Sequence, residues 1–157
     1  MPAVRFARGG LAAVVLAGLA GAAPAQDVSP SPQPEREKFR WPLRGAIVEP
    51  FKAGTNDGID IATPLGVAVH AAADGVVIFA GEELKTYGKM VVVRHDGGYV
   101  TVYADNSELL VKQGDSVRRG QVIARSGQSG DAPAPRLHFE LRKDGQAIDP
   151  IKFLAPL

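Results

Sequence analysis

The stretch that decides the fold is Lys89-Met90-Val91-Val92-Val93-Arg94-His95-Asp96-Gly97-Gly98-Tyr99-Val100-Thr101-Val102-Tyr103-Ala104. Two runs rich in β-branched residues flank an Asp-Gly-Gly tripeptide, and such runs predict strands. Aspartate and glycine tolerate the positive φ angles that tight hairpins require. The stretch therefore predicts two antiparallel strands joined by a short turn.

The same pattern continues on both sides of this hairpin. Short apolar runs separated by glycine predict strands at 67–71, 75–80, 121–125 and 137–143, and Asp144-Gly145 predicts a second tight turn. Beyond one turn at 149–154, no helical period is evident. We therefore predict an all-β, antiparallel domain with a sandwiched or barrel-like sheet and few helices.

The first 38 residues predict export and a spacer. Arg5 and Arg8, an apolar run at 11–20 and Ala23-Pro24-Ala25 are typical of a signal peptide over residues 1–25, cleaved after Ala25. Residues 26–38 are rich in proline and predict a flexible tether, so residues 39–157 form the folded domain. We expect a periplasmic or secreted protein without a membrane span after cleavage, because the apolar run is shorter than the roughly 20 residues a span needs. An uncleaved anchor is the alternative.

Composition excludes several classes of partner. The chain has 18 Lys and Arg, 17 Asp and Glu and no cysteine. Loss of Arg5 and Arg8 with the signal peptide leaves 16 against 17, a balance of −1. This charge favours neither nucleic acid nor a membrane surface, and stability must come from a core rather than from disulfides.

Two sets of residues bear on two possible functions, a cofactor-carrying domain and zinc chemistry. The tract Gly114-Asp115-Ser116-Val117 with Gly120-Gln121 also occurs in lipoyl barrels, but a carrier needs a lysine at a hairpin tip, and Lys89 instead opens an apolar strand. Without cysteine, zinc chemistry would depend on three histidines. His138 shares a strand face with Arg136 and Glu140, whereas His70 fits an ordinary strand position and His95 fits a turn.

The order of several motifs resembles the LytM or lysostaphin-type zinc peptidase domain, which cuts peptidoglycan peptides. The matching segments are 58–66, 72–77, Tyr87-Gly88, 101–103, the Gly-Asp-Ser-Val tract, 126–130, 137–142 and Asp149-Pro150. The resemblance covers roughly residues 39–157. It implies the LytM fold with an open groove.

The resemblance also implies where an active site would lie. Active members bind zinc through histidine, aspartate and histidine at the positions of Asn56, Asp60 and His138, while two assisting histidines correspond to Arg136 and Asp105. Three of the five positions are changed. Asp60 and His138 are vestigial ligands, and a catalytic zinc normally takes three protein ligands and a water. We therefore predict no catalytic residues, no metal and no cofactor.

Loss of ligands on a retained scaffold is typical of murein hydrolase activators of the NlpD and EnvC kind. The resemblance implies a protein that binds a periplasmic N-acetylmuramoyl-L-alanine amidase through its groove and switches it on during cell wall splitting, with peptidoglycan as a further candidate partner. We predict groove residues at Asn56, Asp60, Tyr103, Asp105, Arg136 and His138, with Lys52 and Arg142 at the rim. An Arg136–Asp105 ion pair is a further hypothesis.

Two other functions are kept as alternatives. The first is a zinc endopeptidase that uses Asp60, His138 and an unrecognised third ligand. The second is a module that binds peptidoglycan peptides without an amidase. For Tyr103, a buried sheet aromatic is as reasonable as a groove position.

Overall fold

The computed structural model describes residues 38–156, so the predicted signal peptide and nearly all of the predicted tether lie outside the described residues. Ten strands are present: β1 Ile47–Glu49, β2 Ile59–Ala62, β3 Ala68–His70, β4 Gly75–Gly81, β5 Lys89–Arg94, β6 Tyr99–Leu109, β7 Ser116–Val117, β8 Val122–Ser126, β9 Arg136–Lys143 and β10 Gln146–Ile148. Short 3-10 turns lie at Asp96–Gly98 and Pro150–Phe153. Among residues 38–156, no helix has the length and apolar character needed to cross a membrane.

The strands form one antiparallel sheet, which confirms the predicted fold class. The main order is β1-β2-β9-β6-β5-β4-β7, while β10 pairs with β9, and β8 joins β3 to β6. The longest strands, β6 and β9, lie at the centre of this order. Residues on β9 are therefore flanked by neighbours on both sides.

Both faces of the sheet are covered. The larger cluster includes Ile59 and Ile61 of β2 and Leu137, Phe139 and Leu141 of β9. The smaller cluster on the opposite face contains Val92 of β5, with Val100, Val102 and Ala104 of β6 and with Tyr87 and Met90. Alternate residues of one strand thus serve different layers, as the period of two requires.

Strand β6 changes partners near its middle. Tyr99 to Ala104 pair with β9, and Asn106 to Leu109 pair with β8. Between them Asp105 has φ +66°, a value that is uncommon for a residue with a side chain. This kink lets a single long strand join two parts of the sheet.

Both predicted turns are present. Asp96–Gly98 connects β5 to β6 with positive φ at Gly97 and Gly98, and Asp144 and Gly145 also take positive φ between β9 and β10. The predicted strands are confirmed within one or two residues, except that β6 extends five residues beyond the predicted end. The sequence pattern missed β1, β2, β7 and β10, which have two to four residues each.

Two of the three histidines have structural contacts. His95 is buried, its Nδ1 donates to the Asp74 carbonyl oxygen at 2.6 Å, and its Nε2 lies 2.7 Å from Thr101 Oγ1. Burial lowers the pKa of His95 despite the bond to Asp74. His70 lies on β3 and donates from Nδ1 to the Gly120 carbonyl oxygen at 2.9 Å. These placements agree with the structural roles predicted for both.

Candidate functional site

A row of charged side chains runs along one face of β9. Arg136, His138, Glu140 and Arg142 alternate with the three apolar residues of the larger core, so they share the opposite face. All four are buried, with at most 9% of their surface exposed. This face was predicted for the first three, but their burial was not.

His138 is the centre of the row. Its Nδ1 lies 2.6 Å from Asp60 Oδ1, and its Nε2 lies 3.0 Å from Glu140 Oε1. Register brings these groups together, because Asp60 of β2 is paired directly with His138. A carboxylate can only accept, so an imidazole between two carboxylates donates from both nitrogens and is protonated.

The pKa of His138 reflects this environment. Burial alone would lower the pKa, but the hydrogen bonds and negative charges of Asp60 and Glu140 outweigh burial and raise it to about 9. The same contacts act on Glu140 in return: burial would raise its pKa, yet His138 and Arg142 hold it below its ordinary value. At neutral pH the site therefore contains an imidazolium between ionised carboxylates.

Glu140 accepts hydrogen bonds at both oxygens. Oε1 accepts from His138 and from the Tyr87 hydroxyl at 3.1 Å, while Oε2 accepts from Nε and Nη2 of Arg142 at 3.1 and 3.0 Å. Arg142 also contacts Asp57 Oδ2 at 3.4 Å. Four donated bonds compensate for a carboxylate with no exposed surface.

Tyr87 covers the row from the loop between β4 and β5. Its ring centroid lies 5.8 Å from that of His138, and its carbonyl oxygen accepts from the Asp105 N–H at 2.9 Å. The next residue, Gly88, has φ +62°, and a Cβ there would lie 2.4 Å from the Gly130 nitrogen. The Tyr87-Gly88 dipeptide thus fits a narrow space that only glycine can fill.

Arg136 lies at the outer end of the row. Its Nη1 is 3.4 Å from Asp60 Oδ2 and 3.6 Å from Glu49 Oε1. The side chain of Glu49 is 58% exposed, so Arg136 links the buried row to the surface at β1. Its buried Nε has no hydrogen-bond acceptor among residues 38–156. The Nε–H group of Arg136 is therefore an unpaired donor within the described residues.

The residues present do not fit a catalytic zinc site. A zinc ligand needs an available lone pair, whereas each His138 ring nitrogen already lies within hydrogen-bond distance of a carboxylate oxygen, at 2.6 and 3.0 Å. Arg136 places a fixed positive charge beside Asp60, the other vestigial ligand. Within the part of the chain that the structure describes, no three His, Asp or Glu side chains are grouped so that they could hold a metal ion.

Two predicted site residues lie in the loop that follows β1. Asn56 is half-buried and donates from Nδ2 to the Pro50 carbonyl oxygen at 3.0 Å, while backbone bonds between Lys52 and Asn56 close the loop. The amide nitrogen of Asn56 therefore stabilises its own loop. Lys52 is exposed, and its position at the rim stays a prediction.

The predicted positions of Tyr103 and Arg142 need correction. Tyr103 is fully buried in the larger core, and its hydroxyl accepts from the Ala72 N–H at 2.8 Å and lies 2.8 Å from Thr101 Oγ1. The prediction that Tyr103 lines the groove is thus wrong for its side chain. Arg142 is 3% exposed and belongs to the buried row, not the rim, because Glu140 and Asp57 offer it carboxylates inside.

Asp105 is fully buried at the kink of β6, next to the backbone of Tyr87. Its pairing with Arg136 stays a prediction. Four further residues belong to the row or contact it and were not predicted as site residues: Glu140, Asp57, Tyr87 and Glu49. A signal for Glu140 was available, since charged residues recur at every second position from 136 to 142.

The chain is similar to several known proteins. The profile of peptidase family M23 matches residues 54–150. The chain is 42% identical over 118 residues to the murein hydrolase activator NlpD of Escherichia coli, a match that covers 74% of this chain and 31% of that protein. It is also 42% identical over 118 residues to the uncharacterized lipoprotein YgeR of the same organism, with 74% and 47% covered.

Among solved structures, the chain is similar to a zinc-containing peptidase from Vibrio cholerae, with a TM-score of 0.68 and 31% identity over 78% of this chain and 41% of that one. The chain spans about a third to a half of the length of these relatives. The similarity therefore concerns one domain of larger proteins.

Proposed function

The chain belongs to peptidase family M23, and we propose that it is a catalytically inactive member that acts as a murein hydrolase activator in the cell envelope. In this proposal it binds a periplasmic N-acetylmuramoyl-L-alanine amidase and switches it on during cell wall splitting. The observation that carries the proposal is the position of His138, whose two ring nitrogens lie 2.6 Å from Asp60 Oδ1 and 3.0 Å from Glu140 Oε1, with Arg136 beside Asp60. These positions hold an ion-pair network where zinc chemistry would need free ligands.

Similarity to a named activator supports the same conclusion. The E. coli relative called murein hydrolase activator NlpD shares 42% of its residues with this chain across the matched domain. Other similar proteins are described as lipoproteins or as an outer membrane antigenic lipoprotein. An envelope location fits these names and the predicted signal peptide.

The surface beside Arg136 offers contacts to a partner. Strand β1 ends the main order of the sheet, and its Ile47 and Val48 are 40% and 47% exposed. Glu49 ends the same strand and Lys52 lies in the loop that follows it, and both residues are exposed. An edge strand with apolar and charged groups can receive an extended peptide or an amphipathic helix.

Activation by binding requires no chemistry from this protein. A partner that alternates between closed and open forms shifts to the open form if the activator binds that form more tightly. Because Arg136 contacts Glu49 of β1 and backbone hydrogen bonds between Lys52 and Asn56 close the following loop, β1 and the loop at 50–57 present a preformed surface. We therefore assign the partner contact to this surface.

The test uses dye-labelled sacculi with the purified chain, with an amidase from the same organism, and with both. Dye release only in the mixture is expected, and Lys52→Glu should weaken it at least tenfold. Lys112→Glu is the matched control, because Lys112 is exposed beside β7 at the other end of the sheet. Arg136→Glu is less informative, since it also removes a buried ion pair.

Each outcome has a distinct meaning. Release by the chain alone would refute the proposal in favour of the endopeptidase. Binding to sacculi without any effect on the amidase would favour a peptidoglycan-binding module. Equal activation by Lys52→Glu and Lys112→Glu would refute the proposal that the amidase contacts this surface.

A further inference from the structure

A second concave region lies apart from the charged row of β9. It is a cavity of about 560 Å³, and its walls include Arg40, Trp41, Arg44, His70, Arg119 and Pro156. None of the residues around it belongs to the network of His138. The volume lies in the range of sites that hold small ligands, about 300–1,000 Å³.

Hydrogen bonds fix the walls of this cavity. Trp41 Nε1 donates to the Ala155 carbonyl oxygen at 2.9 Å, which fastens the indole to the C-terminal segment. The Arg40 N–H donates to the Ala72 carbonyl oxygen at 2.9 Å, and the His70 N–H donates to that of Pro42 at 2.8 Å. The cavity is therefore preformed by three chain segments.

The charge of the cavity is one-sided. Among residues 38–156, its lining includes three arginines and no Asp or Glu, although Asp74 lies beside Arg119, whose N–H donates to Asp74 Oδ1 at 2.7 Å. Arg119 Nη1 donates to the Lys38 carbonyl oxygen at 3.1 Å, which holds that guanidinium in place. Arg44 is exposed and makes no hydrogen bond or ion pair with other residues of 38–156. Such a concentration of positive charge attracts an anion.

We propose that this cavity binds the carboxylate groups of a peptidoglycan stem peptide, at a second site separate from the β1 surface. Guanidinium groups bind carboxylates through paired hydrogen bonds. Trp41 and Pro156 supply an apolar wall for the aliphatic parts of such a peptide, which a bare inorganic anion would not need. This inference rests on the envelope role proposed above. It gives the domain direct contact with the wall while the amidase occupies β1.

The experiment is calorimetric titration of the purified chain with a soluble disaccharide peptide that carries free carboxylates. The matched variants are Arg40→Gln/Arg44→Gln inside the cavity and Arg118→Gln/Arg125→Gln outside it, which remove equal charge. The first should weaken binding about tenfold or more and the second less than twofold. Affinity should fall as ionic strength rises. If the double variant unfolds, Arg44→Gln alone serves, because the Arg44 side chain makes no hydrogen bond or ion pair with the described part of the chain.

Two further ligands test the chemistry. The same fragment with its carboxylates amidated should bind at least tenfold more weakly, and inorganic phosphate should bind more weakly than the free fragment. Equal binding of the amidated fragment, of phosphate, or of the Arg40→Gln/Arg44→Gln variant would overturn the proposal. Fragment binding without amidase activation would count against the proposed function alone, and activation without fragment binding would count against the cavity alone.

Discussion

His138 should remain protonated well above neutral pH, and the fold should lose stability as it deprotonates. Its pKa in the folded chain is about 9, against an ordinary value of 6.5. A raised pKa in the folded state contributes stability that is fully present below pH 6.5 and is lost as pH rises through 9. At about 1.4 kcal/mol per pKa unit, the loss over this window is about 3 kcal/mol.

The measurement is urea unfolding at intervals between pH 6 and 9.5, together with NMR of the imidazole nitrogens. The free energy of unfolding should fall by about 1.4 kcal/mol per pH unit between 7 and 9. His138→Gln is the control, since it removes the titrating ring and should flatten this slope. His95 does not interfere, because a lowered pKa places its own effect below pH 6.5.

The result that refutes this reasoning is a His138 ring that titrates at or below 6.5. Stability that rises between pH 7 and 9 would be equally decisive. Either outcome would mean that one ring nitrogen has no proton and that the carboxylates are not held by an imidazolium. NMR of the unmodified chain gives the answer even if His138→Gln does not fold.

Three other changes test the site. Glu140→Gln should destabilise the fold by about 3–5 kcal/mol in urea unfolding because it leaves buried cations unpaired, while Glu108→Gln, in an exposed pair, should cost at most about 1 kcal/mol. Zinc should leave the melting temperature of the natural chain unchanged but raise that of Asn56→His/Arg136→His. At a zinc concentration of one hundred times Kd, the bound ion should add about 2.7 kcal/mol to the free energy of unfolding of this variant. Equal shifts in melting temperature for the two proteins would contradict the argument that metal ligands have been lost. Tyr103→Phe should lower the free energy of unfolding by about 1–3 kcal/mol without weakening amidase activation. Weaker activation at unchanged stability would instead support the prediction that Tyr103 lines the groove.

The sequence predicted the long strands because their apolar residues alternate or cluster between glycines. It missed β1 because three exposed residues produce no apolar period, although Ile47 and Val48 are now the apolar part of the proposed contact surface. It also missed β2, whose Asp60 interrupts a short apolar run. Periodicity detects strands that bury one face along several residues.

The site was predicted by position but not by environment. Alternation placed His138 and Glu140 on one face, but their burial depends on Tyr87, which reaches the row from a distant loop. Arg142 was expected at the rim because arginine is usually exposed. Its burial follows from Glu140 and Asp57, and such a contact between separate segments cannot be derived from spacing along one strand.

The positive charges of the row determine whether the fold needs a metal ion. Arg136 and protonated His138 together provide two positive charges beside Asp60, which equals the charge of a divalent ion. The buried carboxylate is therefore neutralised by the chain itself. A domain of this kind should fold equally well in a chelator-treated or zinc-starved envelope, where a metal-dependent relative would lose both its ion and part of its stability.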